Sequence, residues 1–192
     1  MNNSKLDSII QTYKDHIKSV YIVGSKSVKF INNPSDFDVV IITNNDYKEL
    51  KQLMQKDVGD IRKTDNIDVH VCDEEFFINH AHWHHPFCQL YYGSMLNIKD
   101  ILSNKDFTKN DITLRYKGLT ESKFLKEHNM TRNLKQWYHI YAVLCYLKNN
   151  SYELTEEQIK NINILHDRKQ EENDERLNLV DEIIKEIELW QI

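Results

Sequence analysis

The first 75 residues alternate between amphipathic and continuously apolar stretches. Apolar residues recur at helical spacing between Leu6 and Ile17, which predicts a first helix from Lys5 to Lys18. The run Ser19 to Val23 is rich in β-branched and aromatic residues, which predicts a strand that ends in a tight turn. The continuous apolar run Val39 to Ile42 is typical of a strand covered on both faces. The pattern therefore predicts two strands in a unit where helices and strands alternate.

The alternation continues after the second apolar run. The capping residues before Tyr47 predict a helix from about Asp46 to Lys56, followed by a short strand or turn from Val58 to Lys63. Residues 67–71 then alternate as in a strand, with Asp68 and His70 on one side and apolar residues on the other. We expect this third strand to bring polar side chains towards the second.

The rest of the chain is predicted to be mainly helical. Helical spacing of apolar residues predicts a helix from Thr131 to Lys148, and Thr155 with Gln158 has the spacing of a capping box at the start of the next helix. A last amphipathic helix is predicted from the apolar residues Leu177, Val180, Ile184, Ile187 and Trp190. The predicted domains are an α/β domain at residues 1–115 and a C-terminal helical domain at residues 116–192.

Composition narrows the class of protein. The 192 residues carry a formal net charge of −5, which argues against a protein built mainly to hold nucleic acid. Cys72, Cys88 and Cys145 are odd in number and far apart, so the sequence suggests reduced thiols, with neither a disulfide nor a cysteine zinc site. The N-terminus lacks a hydrophobic signal region and no apolar run approaches membrane-spanning length, which predicts a cytoplasmic protein.

The candidate chemistry lies around the first turn. Gly24 and Ser25 close the first strand, and after ten residues Asp36 and Asp38 open the second. Acids two apart on an extended segment share a face, and a glycine turn lets backbone N–H groups approach a phosphate. With Asp68 on a neighbouring strand, three carboxylates would converge, and their mutual repulsion implies a divalent cation, Mg²⁺ or Mn²⁺.

This arrangement resembles the nucleotidyltransferase superfamily that includes DNA polymerase β. The Gly-Ser-x10-Asp-x-Asp spacing is similar to that of its minimal members, some of which act as antitoxins or modify antibiotics. The resemblance covers roughly the first 75 residues. It implies an α/β (α+β) nucleotidyltransferase fold: a mixed β-sheet flanked by helices, followed here by a C-terminal helical bundle.

The resemblance also implies roles. Gly24 and Ser25 would hold the phosphates of a nucleoside triphosphate, Asp36 and Asp38 would bind two metal ions, and Asp68 would hold one metal and act as base. The reaction implied is transfer of an NMP, with AMP as the default, from an NTP to a hydroxyl acceptor with release of pyrophosphate. The acceptor, a small molecule, a protein side chain or an RNA end, stays open.

One departure from the family pattern concerns charge beside the turn. Minimal members often carry Ala-Arg-Gly soon after Gly-Ser, whereas this chain has Lys26, Ser27, Val28 and Lys29. We expect Lys26 or Lys29 to supply the positive charge for a triphosphate.

Other interpretations remain open at this stage. The protein could be an antitoxin or regulatory module that keeps the fold and covers a protein partner. A helical ribonuclease centred on Arg132 and His139 is a third hypothesis. The histidines between His80 and His85 suggest either a zinc site or, as we prefer, residues lining or flanking the cleft.

Overall fold

The computed structural model describes residues 3–32, 34, 37–44, 46–79, 84–121, 134–167 and 174–191. The chain forms two compact units. The first consists of Met1–Lys29 and Pro34–Asp100, and the second of Phe30–Asn33 and Ile101–Ile192. These units reflect compactness alone, and the division into domains 1–115 and 116–192 stays a prediction.

The first unit is built on a four-stranded mixed sheet in the order β3-β2-β1-β4. The strands are β1 (Ile17–Val23), β2 (Phe37–Thr43), β3 (Ile67–Cys72) and β4 (Cys88–Gly93). β1 pairs antiparallel with both β2 and β4, whereas β2 and β3 are parallel. The predicted fold class, a mixed sheet with helices, is confirmed, and the topology is consistent with a nucleotidyltransferase-like α+β fold.

Helices of the first unit are α1 (Ser4–Thr12), α2 (Tyr47–Leu53), α3 (Gln55–Asp65) and α4 (Glu74–Ile78). The predicted helix from Lys5 to Lys18 is too long, because the chain turns after Thr12 and Ile17 already pairs with Thr43 in the sheet. The predicted strand or turn from Val58 to Lys63 is wrong, since these residues belong to α3, which buries Ile61. β4 had no counterpart in the prediction.

The two faces of this sheet are covered differently. We call the first the α1–α3 face: alternate residues of β1, β2 and β3 pack there against Leu6, Leu50 and Ile61 of those helices. On the opposite, α4 face, residues of the same strands pack against Phe77 of α4 and Leu96, and the Tyr21 and Phe77 ring centroids are 4.9 Å apart. Each strand thus contributes alternate residues to two apolar clusters.

The second unit contains the helices α5 (Lys105–Glu121), α6 (Leu134–Asn149), α7 (Glu156–His166) and α8 (Asp174–Glu188). The capping box is confirmed: Thr155 Oγ1 accepts from Gln158 N at 3.2 Å, and Thr155 N donates to Gln158 Oε1 at 2.9 Å. Asn163 of α7 holds the Phe30–Asn33 segment by donating to Phe30 O and accepting from Asn32 N, both at 2.8 Å. Among the described helices, none combines the length and apolar character needed to cross a membrane.

Candidate active site

Two of the predicted carboxylates lie side by side on the parallel strands. In the β2–β3 register Asp38 is paired with Asp68, and His70 follows beside Val40. Because side chains alternate along a strand, Asp38, Asp68 and His70 all project to the α4 face. Ligand atoms of these three residues lie within 4.8 Å of one another. Asp36, the remaining predicted carboxylate, lies outside the described residues.

The glycine turn abuts this cluster. Val23 is paired with Asp38, so the next residue, Gly24, leaves β1 directly beside that carboxylate. Gly24 has φ +71°, and a Cβ placed on it would lie 3.0 Å from Asp38 Oδ2. Both the left-handed backbone and this close approach favour glycine. The absence of a side chain therefore keeps space open next to Asp38.

The turn Gly24–Ser27 also carries an unsatisfied hydroxyl. Ser25 is 1% exposed, and its Oγ has no hydrogen-bond partner within the described part of the chain. Ser27, by contrast, donates its hydroxyl to Gly24 O at 2.7 Å, which braces the turn. An unsatisfied buried hydroxyl costs about 1–3 kcal/mol, so we interpret Ser25 as a group kept for a ligand.

The two predicted lysines follow the same turn. Lys26 lies within it and is half-buried, and Lys29 is exposed in the segment that follows. Their contribution to nucleotide binding stays a prediction.

Asp68 has a cationic neighbour that the sequence did not indicate. Arg62 Nη2 of α3 lies 3.6 Å from Asp68 Oδ2, and the two side chains are 68% and 36% exposed. An ion pair this open to solvent contributes at most about 1 kcal/mol. Arg62 therefore offsets part of the charge of Asp68 and can still yield to a ligand.

A cavity of about 680 Å³ runs along β3, which is one of the two edge strands of the sheet. We call it the β3-edge cavity. Its walls combine two cations, apolar side chains and the polar residues of β3, among them Lys51, Arg62, Val58, Phe76, Asp68 and His70. Asp68 and His70 thus belong both to the polar cluster and to a space large enough for a small molecule or a side chain of a partner.

The donor set fits a divalent cation. Two carboxylates on neighbouring strands repel each other unless a positive charge lies between them. Carboxylate oxygens are the preferred ligands of Mg²⁺ and also bind Mn²⁺, and an imidazole nitrogen is a ligand for transition metals. Asp38, Asp68 and His70 supply these atoms beside an open turn.

The histidines between His80 and His85 divide into two groups. His80 and His82 lie outside the described residues. His84 is fully buried with its Nε2 2.8 Å from Ile78 O, whereas His85 is exposed with its Nε2 3.9 Å from Asp100 Oδ2. These two neighbours therefore have separate environments, one structural and one at the surface.

The ribonuclease hypothesis rests on two residues of the second unit. Arg132 lies outside the described residues, and His139 is buried in α6. A buried His139 is poorly placed to reach an RNA backbone.

Sequence reasoning missed Lys51 and Arg62 as site residues. The signal of Arg62 was obscured because residues 58–63 were predicted as a strand or turn, so the helical spacing that places Val58 and Arg62 along β3 was not considered. The spacing of Val58 and Arg62, four residues apart, would place both on one helix face.

Comparison with known proteins finds two solved structures with weak similarity to this chain. No protein-family profile matches the chain, and no curated protein matches it. Two solved structures described as the toxin–antitoxin MntA-HpeT are similar to this chain, one a tyrosine-to-alanine variant and the other with two aspartates changed to glutamate. Each match covers 66% of this chain and 97% of the other, with identities of 12% and 11% and TM-scores of 0.35 and 0.37. Identities and TM-scores this low support no conclusion about this chain, so its fold and candidate site are described from its own structure alone.

Proposed function

We propose that this protein is a metal-dependent nucleotidyltransferase that moves an NMP, AMP by default, from an NTP to a hydroxyl acceptor. The observation that supports it most is the pairing of Asp38 with Asp68 on parallel strands beside the turn at Gly24. This combination offers carboxylates for a cation and an open backbone for phosphates at one place.

The phosphates are assigned to the Gly24–Ser27 turn. The Ser25 hydroxyl, which has no partner among the described residues, donates to a phosphate oxygen, and the open space at Gly24 admits that phosphate next to Asp38. Lys26 and Lys29 add positive charge on the same segment. This turn orients the triphosphate before reaction.

The aspartates are assigned to the cation and the acceptor. Asp36, Asp38 and Asp68 would hold Mg²⁺ or Mn²⁺, two ions by the resemblance. When bound, the metal neutralises charge on the triphosphate and lowers the pKa of the attacking hydroxyl. Asp68 takes the proton of that hydroxyl as the new bond to the α-phosphorus forms and the bond to pyrophosphate breaks.

The β3-edge cavity is the natural place for the acceptor. Asp68 lines it, so a hydroxyl group held there would lie beside the residue assigned as base. Lys51 and Arg62 on its wall would favour an acceptor with a negative group near the hydroxyl.

The test uses each α-labelled NTP with Mg²⁺ or Mn²⁺ and mixtures of RNA, protein and metabolites as acceptors. Label transfer by the wild-type chain, lost in Asp38→Asn and retained in Asp60→Asn, would support the proposal. Asp60 is a matched control because it is an exposed carboxylate of the same unit, outside the cluster.

Absence of both transfer and nucleotide binding would contradict the transferase and favour the antitoxin-like or regulatory module. That alternative predicts a long exposed apolar surface on the last helix. In α8, however, the apolar stripe formed by Leu179, Val180, Ile183 and Ile187 is buried.

A further inference from the structure

His70 is part of the polar cluster although the resemblance implies aspartates alone. It follows Asp68 by two residues on β3 and therefore shares its face. Its ring nitrogen lies within 4.8 Å of ligand atoms of both Asp38 and Asp68. The chain thus places a nitrogen donor where an all-oxygen site would be expected.

We propose that His70 is a metal ligand together with Asp38 and Asp68, and that its nitrogen makes the site select Mn²⁺ or a similar transition-metal ion over Mg²⁺. The inference rests on the metal site of the proposed function and specifies which ion that site takes.

The spacing of the three side chains suits one ion. Bonds from Zn²⁺ to carboxylate oxygen and imidazole nitrogen are about 2.0–2.2 Å long, so neighbouring donors on one such ion lie roughly 3–3.6 Å apart. The donor atoms of the cluster lie within 4.8 Å of one another, so side-chain rotations that shorten their separations by at most about 1–2 Å bring them onto one ion. Such adjustments are available, because Asp38 and Asp68 are half-buried and His70 is exposed.

His70 is exposed, whereas His84 is buried. His84 of the same unit is 0% exposed, with its ring held against a backbone carbonyl. His70 instead lines the β3-edge cavity beside two carboxylates. Arg62, the cation nearest Asp68, is 68% exposed and can move aside when a metal ion binds.

Ligand chemistry sets the direction of the selectivity. Mg²⁺ prefers oxygen ligands and keeps several waters, whereas imidazole is a good ligand for later divalent ions. His70 adds an imidazole nitrogen to the carboxylates of the cluster, and this nitrogen favours Mn²⁺ over Mg²⁺. The cluster should therefore discriminate between the two ions.

Direct metal binding tests this without any turnover. The chain of 192 residues, freed of metal with EDTA, is titrated with Mn²⁺ alone by electron paramagnetic resonance, and Mg²⁺ is added in competition. We expect Mn²⁺ to bind on the order of tenfold more tightly than Mg²⁺. Electron spin echo modulation of bound Mn²⁺ should show a directly coordinated ¹⁴N nucleus.

Three variants make the test specific. His70→Gln should lose the ¹⁴N coupling and bind Mn²⁺ on the order of tenfold more weakly, with Mg²⁺ affinity within about twofold of wild type. His70→Asp should bring the Mn²⁺ and Mg²⁺ affinities together by strengthening Mg²⁺ binding. His85→Gln changes an exposed histidine of the same unit outside the cluster and should behave as wild type. Circular dichroism melts of all variants establish that each is folded.

The outcomes that overturn the inference differ from those that overturn the transferase. Absence of Mn²⁺ binding, bound Mn²⁺ without ¹⁴N coupling, or an unchanged Mn²⁺/Mg²⁺ ratio in His70→Gln would each refute His70 as a ligand. Nucleotide transfer that is equal with both metals and unaffected by His70→Gln would refute the ligand while leaving the transferase. Retained ¹⁴N coupling without NMP transfer from any NTP would leave the ligand and refute the transferase.

Discussion

The same strands form both faces of the sheet in the first unit, but only the α4 face carries the polar cluster of Asp38, Asp68 and His70. On the α1–α3 face, β2 contributes Phe37, Val39 and Ile41 to an apolar core. On the α4 face, Val40 and Ile42 join an apolar cluster, but Asp38 at the start of the strand belongs to the polar cluster. Neighbouring residues of β2 therefore belong to different groups: one to the apolar core and the next to the polar cluster.

The largest expected effect is on the polar cluster. Asp38→Asn should lower metal affinity and any NMP transfer by on the order of a hundredfold or more, because a charged ligand is lost. The free energy of unfolding without metal should stay the same or rise, since repulsion between Asp38 and Asp68 is relieved. Calorimetric metal titration and urea unfolding with EDTA measure the two quantities. A marked loss of stability would show that Asp38 serves the fold instead.

A change on the opposite face should lower stability and leave metal affinity nearly unchanged. Ile41 is fully buried, and Ile41→Ala should lower the free energy of unfolding by about 2–5 kcal/mol through lost burial and a cavity. The folded variant should bind metal within about twofold of wild type. Urea unfolding and metal titration below the transition test this. A large loss of metal affinity in the folded variant would mean that the two faces are not separable.

Gly24 lies between the apolar strand β1 and the polar cluster. Gly24→Ala should cost about 1 kcal/mol of stability, because the residue has φ +71°, and should weaken metal binding because the new Cβ lies 3.0 Å from Asp38 Oδ2. Thermal unfolding and metal titration measure both effects. A stable variant with wild-type metal affinity would contradict the role assigned to the open space.

Ser25 and Ser27 test separately which serine of the turn serves ligand binding and which serves the fold. Ser25→Ala should weaken nucleotide binding by roughly threefold to tenfold, the value of one hydrogen bond, with stability unchanged or slightly raised. Ser27→Ala, which removes the hydroxyl that donates to Gly24 O, should instead lower stability by about 1 kcal/mol. Nucleotide titration and urea unfolding of both variants provide the test. If Ser25→Ala proves as destabilising as Ser27→Ala, the hydroxyl serves the fold.

The apolar part of the α4 face gives the smallest effect. Burial raises the pKa of Cys88 from 9.0 to about 12, so its thiol stays protonated in the folded protein up to high pH. The folded state favours the neutral thiol, so this contribution to stability is complete below pH 9 and is lost as the pH rises from 9 towards 12. We expect slow alkylation by iodoacetamide at pH 8 and a lower urea midpoint at pH 10 than at pH 8. Cys88 is half-buried, and alkylation of the folded protein as fast as that of a free thiol would contradict its raised pKa.

Sequence reasoning predicted the strands of the site better than its surroundings. β2 and β3 were predictable because continuous or alternating apolar residues specify a buried strand, and the positions of Asp38 and Asp68 followed from that pattern. α3 was missed because its only buried residue is Ile61, which leaves a weak apolar stripe. The contact between Gly24 and Asp38 depends on the antiparallel pairing of β1 with β2, a tertiary feature that no local pattern specifies.

The attachment of Phe30–Asn33 to the second unit makes both units discontinuous in sequence. Between the Gly24–Ser27 turn and Asp38, residues 30–33 belong to the second unit. There the Asn163 side chain hydrogen-bonds to the backbone of Phe30 and Asn32, on either side of Ile31. A single proteolytic cut after Asp100 would therefore not yield two intact units, because the N-terminal fragment would still carry the four residues that belong to the second unit. A fragment meant to contain the whole second unit would need residues 30–33 as well as residues 101–192.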